Sequence, residues 1–267
     1  MGITHAVIPD VQLKPGNDTK FLNAIGNYLV EKKPDVIVCL GDFADMPSLS
    51  SYDVGKMSFE GRRYKNDVES SCRGMEELLR PIWEYNERAA ANKKKVYKPR
   101  LVFTLGNHEE RINRVVESDP KLDGTISIED LGYERYGWEV YPFLDVVLVD
   151  GIAYSHYFTT GVMGRPALSA RNLVIKKHMS CIQGHAQKME IFSEYRADGK
   201  KLTGLFAGCC YEHNEDYLGP QGNDYFRGIH FLYDVKDGDF HCHSITLSYL
   251  LARNKRRLRT RHMEATV

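Results

Sequence analysis

The chain has 267 residues with 36 basic and 36 acidic side chains, so its formal net charge is zero. Bulk charge therefore draws it to neither nucleic acid nor membrane, and any such attraction has to be local. Hydrophobic residues at 42% and charged residues at 27% exclude a disordered or fibrous chain. The apolar runs are too short to cross a membrane; the stretch 143–149 already contains Asp145. The start, Met1-Gly2-Ile3-Thr4-His5, has neither a basic nor an apolar leader region, and Ala6 stands where myristoylation requires Ser or Thr. Cys39, Cys72, Cys181, Cys209, Cys210 and Cys242 form no C-x-x-C pair. They read as buried free thiols, and the expected compartment is the reducing cytoplasm.

Along the chain, short apolar runs end in turns that carry Asp, Asn or His. Residues 6–8 lead into Pro9-Asp10, and after a helical pattern over 19–32, residues 36–40 lead into Gly41-Asp42. Residues 46–100 read as a helical insertion whose main helix covers 68–88, with Pro81 expected to kink or divide it. Residues 101–105 then lead into Gly106-Asn107-His108, followed by a short helix over 111–117. Residues 152–154 lead into Ser155-His156. After a helix over 168–178, residues 181–183 lead into Gly184-His185. Runs of this length bounded by turn residues are expected to be buried strands. Strands are also expected over 189–195, 202–209, 228–235 and 240–247. The alternation implies an α/β domain over residues 1–250, β-rich late in the chain, with 251–267 a basic tail expected to be disordered.

In open sheets, ligands gather beyond the carboxyl ends of strands. Asp10, Asp42, Asn107, His156 and His185 stand at five such ends, and all are oxygen or imidazole donors suited to divalent first-row metals. One such residue after a strand is ordinary turn chemistry, but five in order within one domain point to a metal site. Two ions about 3.5–4 Å apart make a clamp for phosphoryl chemistry, and a carboxylate shared between them, Asp42, holds them together. His108 is placed to protonate a leaving oxygen, with Asp45 orienting it.

The segments Asp10-Val11-Gln12, Gly41-Asp42-Phe43-Ala44-Asp45, Gly106-Asn107-His108-Glu109, His156 and Gly184-His185-Ala186-Gln187 resemble the calcineurin-like metallophosphoesterase superfamily. Its pattern runs D-x-H, G-D-x-x-D, G-N-H-E, H and G-H-x-H. The resemblance implies a four-layer β-sandwich flanked by helices, with the metal site at strand C-terminal ends. It implies that Asp42 bridges two ions, that Asn107, His156 and His185 hold one of them, and that Asp10 holds the other. It also implies catalytic roles for His108 and Asp45. Three further stretches resemble the tailed-bacteriophage-encoded members of the family: Pro9 through Gly16, Met46 through Asp53 and Phe59 through Arg63. Gly219-Pro220-Gln221-Gly222-Asn223 belongs to the same impression. A phage origin would place the protein in the host cytoplasm.

Gln12 and Gln187 stand where the family has histidine, and both fall on the ion held by Asp10. An all-oxygen shell suits Mn²⁺ or Mg²⁺ better than Zn²⁺. Mn²⁺ is the first expectation for the cofactor, ahead of Mg²⁺, Fe, Zn²⁺ or Ni²⁺, with one tight and one labile site. Arg62, Arg63 and Arg111 are the candidates for binding substrate phosphate. The expected partner is a phosphate ester, a nucleotide or nucleic acid, hydrolysed as a monoester or diester. The alternatives are a protein phosphatase and a binding protein that keeps the fold around a degenerate metal site.

Overall fold

The computed structural model describes residues 2–214 and 225–265. The stretch Gly219 to Asn223, part of the phage-type resemblance, lies outside the described residues. In chain order the strands are β1 (Ile3–Ile8), β2 (Val36–Cys39), β3 (Arg100–Thr104), β4 (Glu139–Tyr141), β5 (Val147–Val149), β6 (Ile152–Ser155), β7 (Cys181–Gln183), β8 (Met189–Tyr195), β9 (Lys201–Ala207), β10 (Gly228–Lys236) and β11 (Asp239–Thr246). The helices are α1 (Lys20–Lys32), α2 (Tyr64–Ala91), α3 (Arg111–Ser118), α4 (Ala170–Lys177) and α5 (Leu247–Ala265).

One sheet has the order β11-β10-β1-β2-β3-β4, and the other β5-β6-β7-β9-β8. Strands β1 to β4 are mutually parallel, and β10 returns antiparallel against β1. Side chains alternate along each strand, so one strand feeds two cores. Val7, Val36, Val38, Val102 and Leu232 face the second sheet and meet Val149, Ile152, Tyr154, Ile182 and Leu205. Ala6, Ile8, Ile37, Cys39, Phe103 and Phe231 face the other way, onto Leu22, Ile25 and Leu29 of α1 and Met75 and Leu78 of α2. Ala153, Cys181 and Phe206 on the far side of the second sheet pack against Ala170 and Leu173 of α4. Helix, sheet, sheet and helix thus make the four layers that the resemblance implies.

Three expectations change. Pro81 does not divide its helix: α2 is continuous and starts earlier than the pattern suggests. A Cβ at Gly26 of α1 would come within 3.0 Å of the Pro81 ring and 2.2 Å of the Leu78 carbonyl oxygen, so the proline sits at a close helix crossing. Residues 251–265 are helical where a disordered tail was expected, since α5 extends through residue 265. Leu247 and Leu250 bury its first turn, Asn27 donates to Asn254 at 3.1 Å, and Arg253 pairs with Glu31. The short strand β4, which extends the first sheet, has no counterpart in the sequence pattern; its three residues are too few to show a period. All six cysteines are free, four of them buried. Among the described residues, no helix is long and apolar enough to cross a membrane.

Candidate metal centre

The parallel strands β1, β2 and β3 end on one edge of the first sheet, and β6 and β7 run parallel in the second. The loops beyond those ends are bonded to each other. The N–H groups of Val11 and Gln12 donate to the Asp42 carbonyl at 3.0 and 2.7 Å, Cys210 N–H to the Asp10 carbonyl at 2.6 Å, and Gly184 N–H to the His156 carbonyl at 3.0 Å. Closing them this tightly forces non-glycine residues into the left-handed region: Gln12 at φ 46°, Asp42 at 47°, His185 at 63° and Gln187 at 56°. Such conformations cost of order 1–3 kcal/mol each and persist where surrounding contacts hold them. Two glycines are dictated by carboxylates. A Cβ at Gly106 would lie 2.1 Å from Asp42 Oδ1, and one at Gly184 would lie 2.3 Å from Asp10 Oδ1.

Asp42, His156 and His185 each offer a ligand atom, and these atoms lie within 4.8 Å of one another. Asn107 Oδ1 joins them, 2.9 Å from His156 Nε2 and 2.7 Å from His185 Nδ1. The His156 ring shows what the cluster wants. Its Nδ1 faces the Leu40 carbonyl at 2.7 Å and must carry a proton to donate there. Burial holds the His156 pKa below its ordinary value despite the Asp42 charge, so the ring is neutral and Nε2 bears a lone pair. That lone pair faces Asp42 Oδ2 at 3.4 Å. Burial, followed by the proximity of His156, also pulls His185 down to about 4. Electron pairs converging from a buried carboxylate and two neutral imidazoles fit a divalent cation.

Asp10 is fully buried beside this cluster. Its Oδ1 accepts the His185 N–H at 3.0 Å, and its Oδ2 has no hydrogen-bond partner among the described residues. Burial and then the Asp42 charge push its carboxyl well above the usual carboxylate range. A buried oxygen left without a donor is costly, and a second cation would relieve it. Gln12 and Gln187 are both buried, and Gln187 Oε1 accepts from the Tyr211 hydroxyl at 3.2 Å.

On the other flank, His108 Nδ1 lies 2.6 Å from Asp45 Oδ1 and its Nε2 lies 3.7 Å from Asp42 Oδ2. Burial alone would lower the His108 pKa, but the Asp42 and Asp45 carboxylates outweigh it and raise it. Asp45 goes the other way, down to about 2, because the His108 hydrogen bond and charge, with Lys14 and Arg111, overcome its burial. Arg111 donates to the Asp45 carbonyl at 2.6 Å and faces His108 Nε2 at 3.2 Å. Arg62 has its partners elsewhere in the insertion, donating to the Pro47 carbonyl at 3.0 Å and to Asp53 at 2.8 Å. Arg63 is exposed and donates to the Arg62 carbonyl.

Three residues without an assigned role in the sequence reading shape the centre. Glu109 is fully buried and accepts four backbone N–H groups, those of Asp42, Phe43, Ala44 and Gly106. Its place in the Gly-Asn-His-Glu run was the signal that marked it. Tyr157 lies against the His185 ring, 4.6 Å between centroids, and Tyr211 sits behind Gln187. No local pattern singles out either tyrosine.

The model of the calcineurin-like phosphoesterase family matches residues 3–185, about two thirds of the chain. The chain belongs to this family. It is therefore a metallophosphoesterase, a hydrolase of phosphate esters. "Gene 54 protein" of Mycobacterium phage L5 is 27% identical to it over 191 residues, 69% of each chain. Among solved structures, Vps29 from Entamoeba histolytica complexed with Zn²⁺ is 13% identical, with 92% of this chain and 99% of that one covered and a TM-score of 0.39. Yfce, a phosphoesterase from E. coli, is 11% identical, with 92% and 100% covered and a TM-score of 0.37.

Proposed function

We propose that this metallophosphoesterase hydrolyses phosphodiesters of nucleotides or nucleic acid at the centre built on Asp42. The observation that carries the metal chemistry is the convergence of Asp42, His156 and His185, whose ligand atoms lie within 4.8 Å of one another, with the His156 lone pair turned toward Asp42. Asn107, His156, His185 and Asp42 would hold one divalent ion, and Asp42, Asp10, Gln12 and Gln187 a second and weaker one. The oxygen character of the second set favours Mn²⁺ or Mg²⁺. Bound ions supply charge for the phosphoryl oxygens and a nucleophilic water at neutral pH.

The side chains do the remaining work. Asp45 holds the Nδ1–H of His108, which leaves Nε2 facing the centre. With its proton affinity raised by two carboxylates, His108 carries a proton to the leaving oxygen. Arg111 fixes Asp45 from behind and presents its second nitrogen at His108 Nε2, where a departing oxygen would sit.

The test is hydrolysis of bis-p-nitrophenyl phosphate and p-nitrophenyl phosphate with Mn²⁺, beside Asp42→Asn and His108→Ala. Diester turnover that disappears in Asp42→Asn supports the reading. Turnover confined to the monoester makes the protein a phosphatase, and none with Mn²⁺, Mg²⁺ or Zn²⁺ makes it a binding protein on this fold.

A further inference from the structure

We propose that helix α5 is a docking surface for the phosphodiester backbone of nucleic acid. The inference rests on α5 alone and is read by binding, so it stands or falls apart from the chemistry of the metal centre. The segment Arg253 to Arg261 holds six basic residues, and no Asp or Glu occurs from Ser248 through Met263. In a chain of zero net charge, this is a local concentration of one sign.

Packing divides the helix. Leu247 and Leu250 are buried, and Asn254 bonds Asn27 of α1, which fixes the inner face. At 100° per residue, Lys255, Arg256 and Arg259 fall on the opposite side, and all three are exposed. Beside Arg256 the surface dips into a groove of about 360 Å³ between α1 and α5, lined by Arg253, Arg256, Arg257, Asn27, Asn254 and Thr260. The one carboxylate in that lining, Glu31, is paired with Arg253.

An ordinary solvated helix looks different, and this molecule contains one. On α2 the charges alternate and pair within the helix, as in Lys65–Glu69, Glu77–Arg80 and Glu84–Arg88. On α5 the sixteen successive residues from Ser248 through Met263 supply no acidic partner, and Lys255 and Arg259, four apart, repel each other. Helix stability is given up for a uniform positive face. At 1.5 Å rise per residue the six basic positions span about 12 Å, over which duplex DNA presents roughly seven phosphates. The Asn and Thr side chains in the groove add neutral hydrogen-bonding groups of the kind that contact phosphate.

The experiment uses the full chain in Mn²⁺ buffer and a short fluorescent phosphorothioate oligonucleotide that resists hydrolysis, single- or double-stranded. Anisotropy is followed from about 50 to 200 mM salt. Wild type is expected to bind without regard to sequence. The triple variant Lys255→Glu, Arg256→Glu, Arg259→Glu should bind at least about tenfold more weakly, with a salt slope shallower by about 2–3. Its thermal unfolding and its turnover of a small phosphate ester should match wild type. The milder Lys255→Gln, Arg256→Gln, Arg259→Gln variant repeats the measurement if the reversal unfolds α5. Binding unchanged in a folded variant, or no binding by wild type, overturns the proposal. So does wild type preferring phosphatidylserine vesicles to the oligonucleotide, which would assign the face to a lipid surface.

Discussion

Glu109 Oε2 accepts the backbone N–H of Asp42 at 2.9 Å, and the same oxygen takes the N–H of Gly106 at the same distance. Its other oxygen receives Phe43 and Ala44 at 2.7 and 3.0 Å. One buried carboxylate therefore fastens the turn after β2 to the turn after β3, and with it the left-handed backbone of Asp42. Burial and the Asp42 charge push the Glu109 pKa upward, while the backbone N–H groups pull it down.

Glu109→Gln replaces one acceptor oxygen by an amide N–H₂ and leaves two backbone donors facing another donor. The expected loss is about 3 kcal/mol, since hydrogen bonds to a charged group contribute roughly 1.5–3 kcal/mol each. Urea unfolding should show a lower midpoint with an unchanged slope. A midpoint matching wild type would mean that the carboxylate does not hold the turns.

Mn²⁺ binding should occur in two unequal steps. The tighter ion is expected at Asn107, His156 and His185, and the weaker at Asp10, Gln12 and Gln187. Gln187→His should tighten the weaker step by about tenfold, because imidazole is a stronger donor than an amide. Tyr211→Phe, which removes the hydroxyl on Gln187, should alter the weaker step and leave the tighter one. Mn²⁺ titration followed by electron paramagnetic resonance reads both; two equal steps in wild type would refute the asymmetry.

His108→Ala should lower kcat on the diester by about 10²–10⁴, the range for loss of a positioned proton donor. Asp45→Asn should lower kcat in the same direction by a smaller factor while leaving Mn²⁺ affinity intact, as Asp45 touches His108 rather than the ligand cluster. Equal losses of metal and activity in Asp45→Asn would place it among the ligands instead.

Stability should fall on acidification because of His230. Its Nε2–H donates to the Ala207 carbonyl, and burial pulls its pKa down to about 4 from an ordinary 6.5. Between those values the unfolded chain binds a proton that the folded chain refuses, so stability is full above about pH 6.5 and is lost as pH falls toward 4. The gap corresponds to about 3 kcal/mol. His5, also lowered by burial, acts in the same direction. Chemical unfolding at about pH 7 and about pH 5 should show a smaller pH effect in His230→Gln than in wild type.

The strand ends were legible because buried parallel strands have a strong signature, a short apolar run cut by a glycine turn. The runs over 36–40, 101–105 and 181–183 match β2, β3 and β7 to within two residues. The grouping of Asp42, His156 and His185 was legible for the same reason, since parallel strands put their ends on one edge. Arg62 was not, because its partners, Pro47 and Asp53, are fixed by how the insertion folds back on itself. Helix α5 was not legible, because high positive charge resembles a solvated tail and the two leucines that anchor it lie before the charged run. The tautomer of His156 was also out of reach, since it is set by a carbonyl 116 positions away.

The strand that carries Asp10 depends on the other end of the chain. β1 lies between β2 and β10, and Asp10's own carbonyl is bonded by Cys210. During synthesis, all the candidate metal-binding residues have emerged by position 187, yet β1 still shows a bare edge. Until β10 arrives some forty residues later, that edge is open to pairing with other chains. Ions added early would therefore meet the ligands before the scaffold that aligns them, and a chain cut after residue 187 should aggregate rather than yield a smaller enzyme.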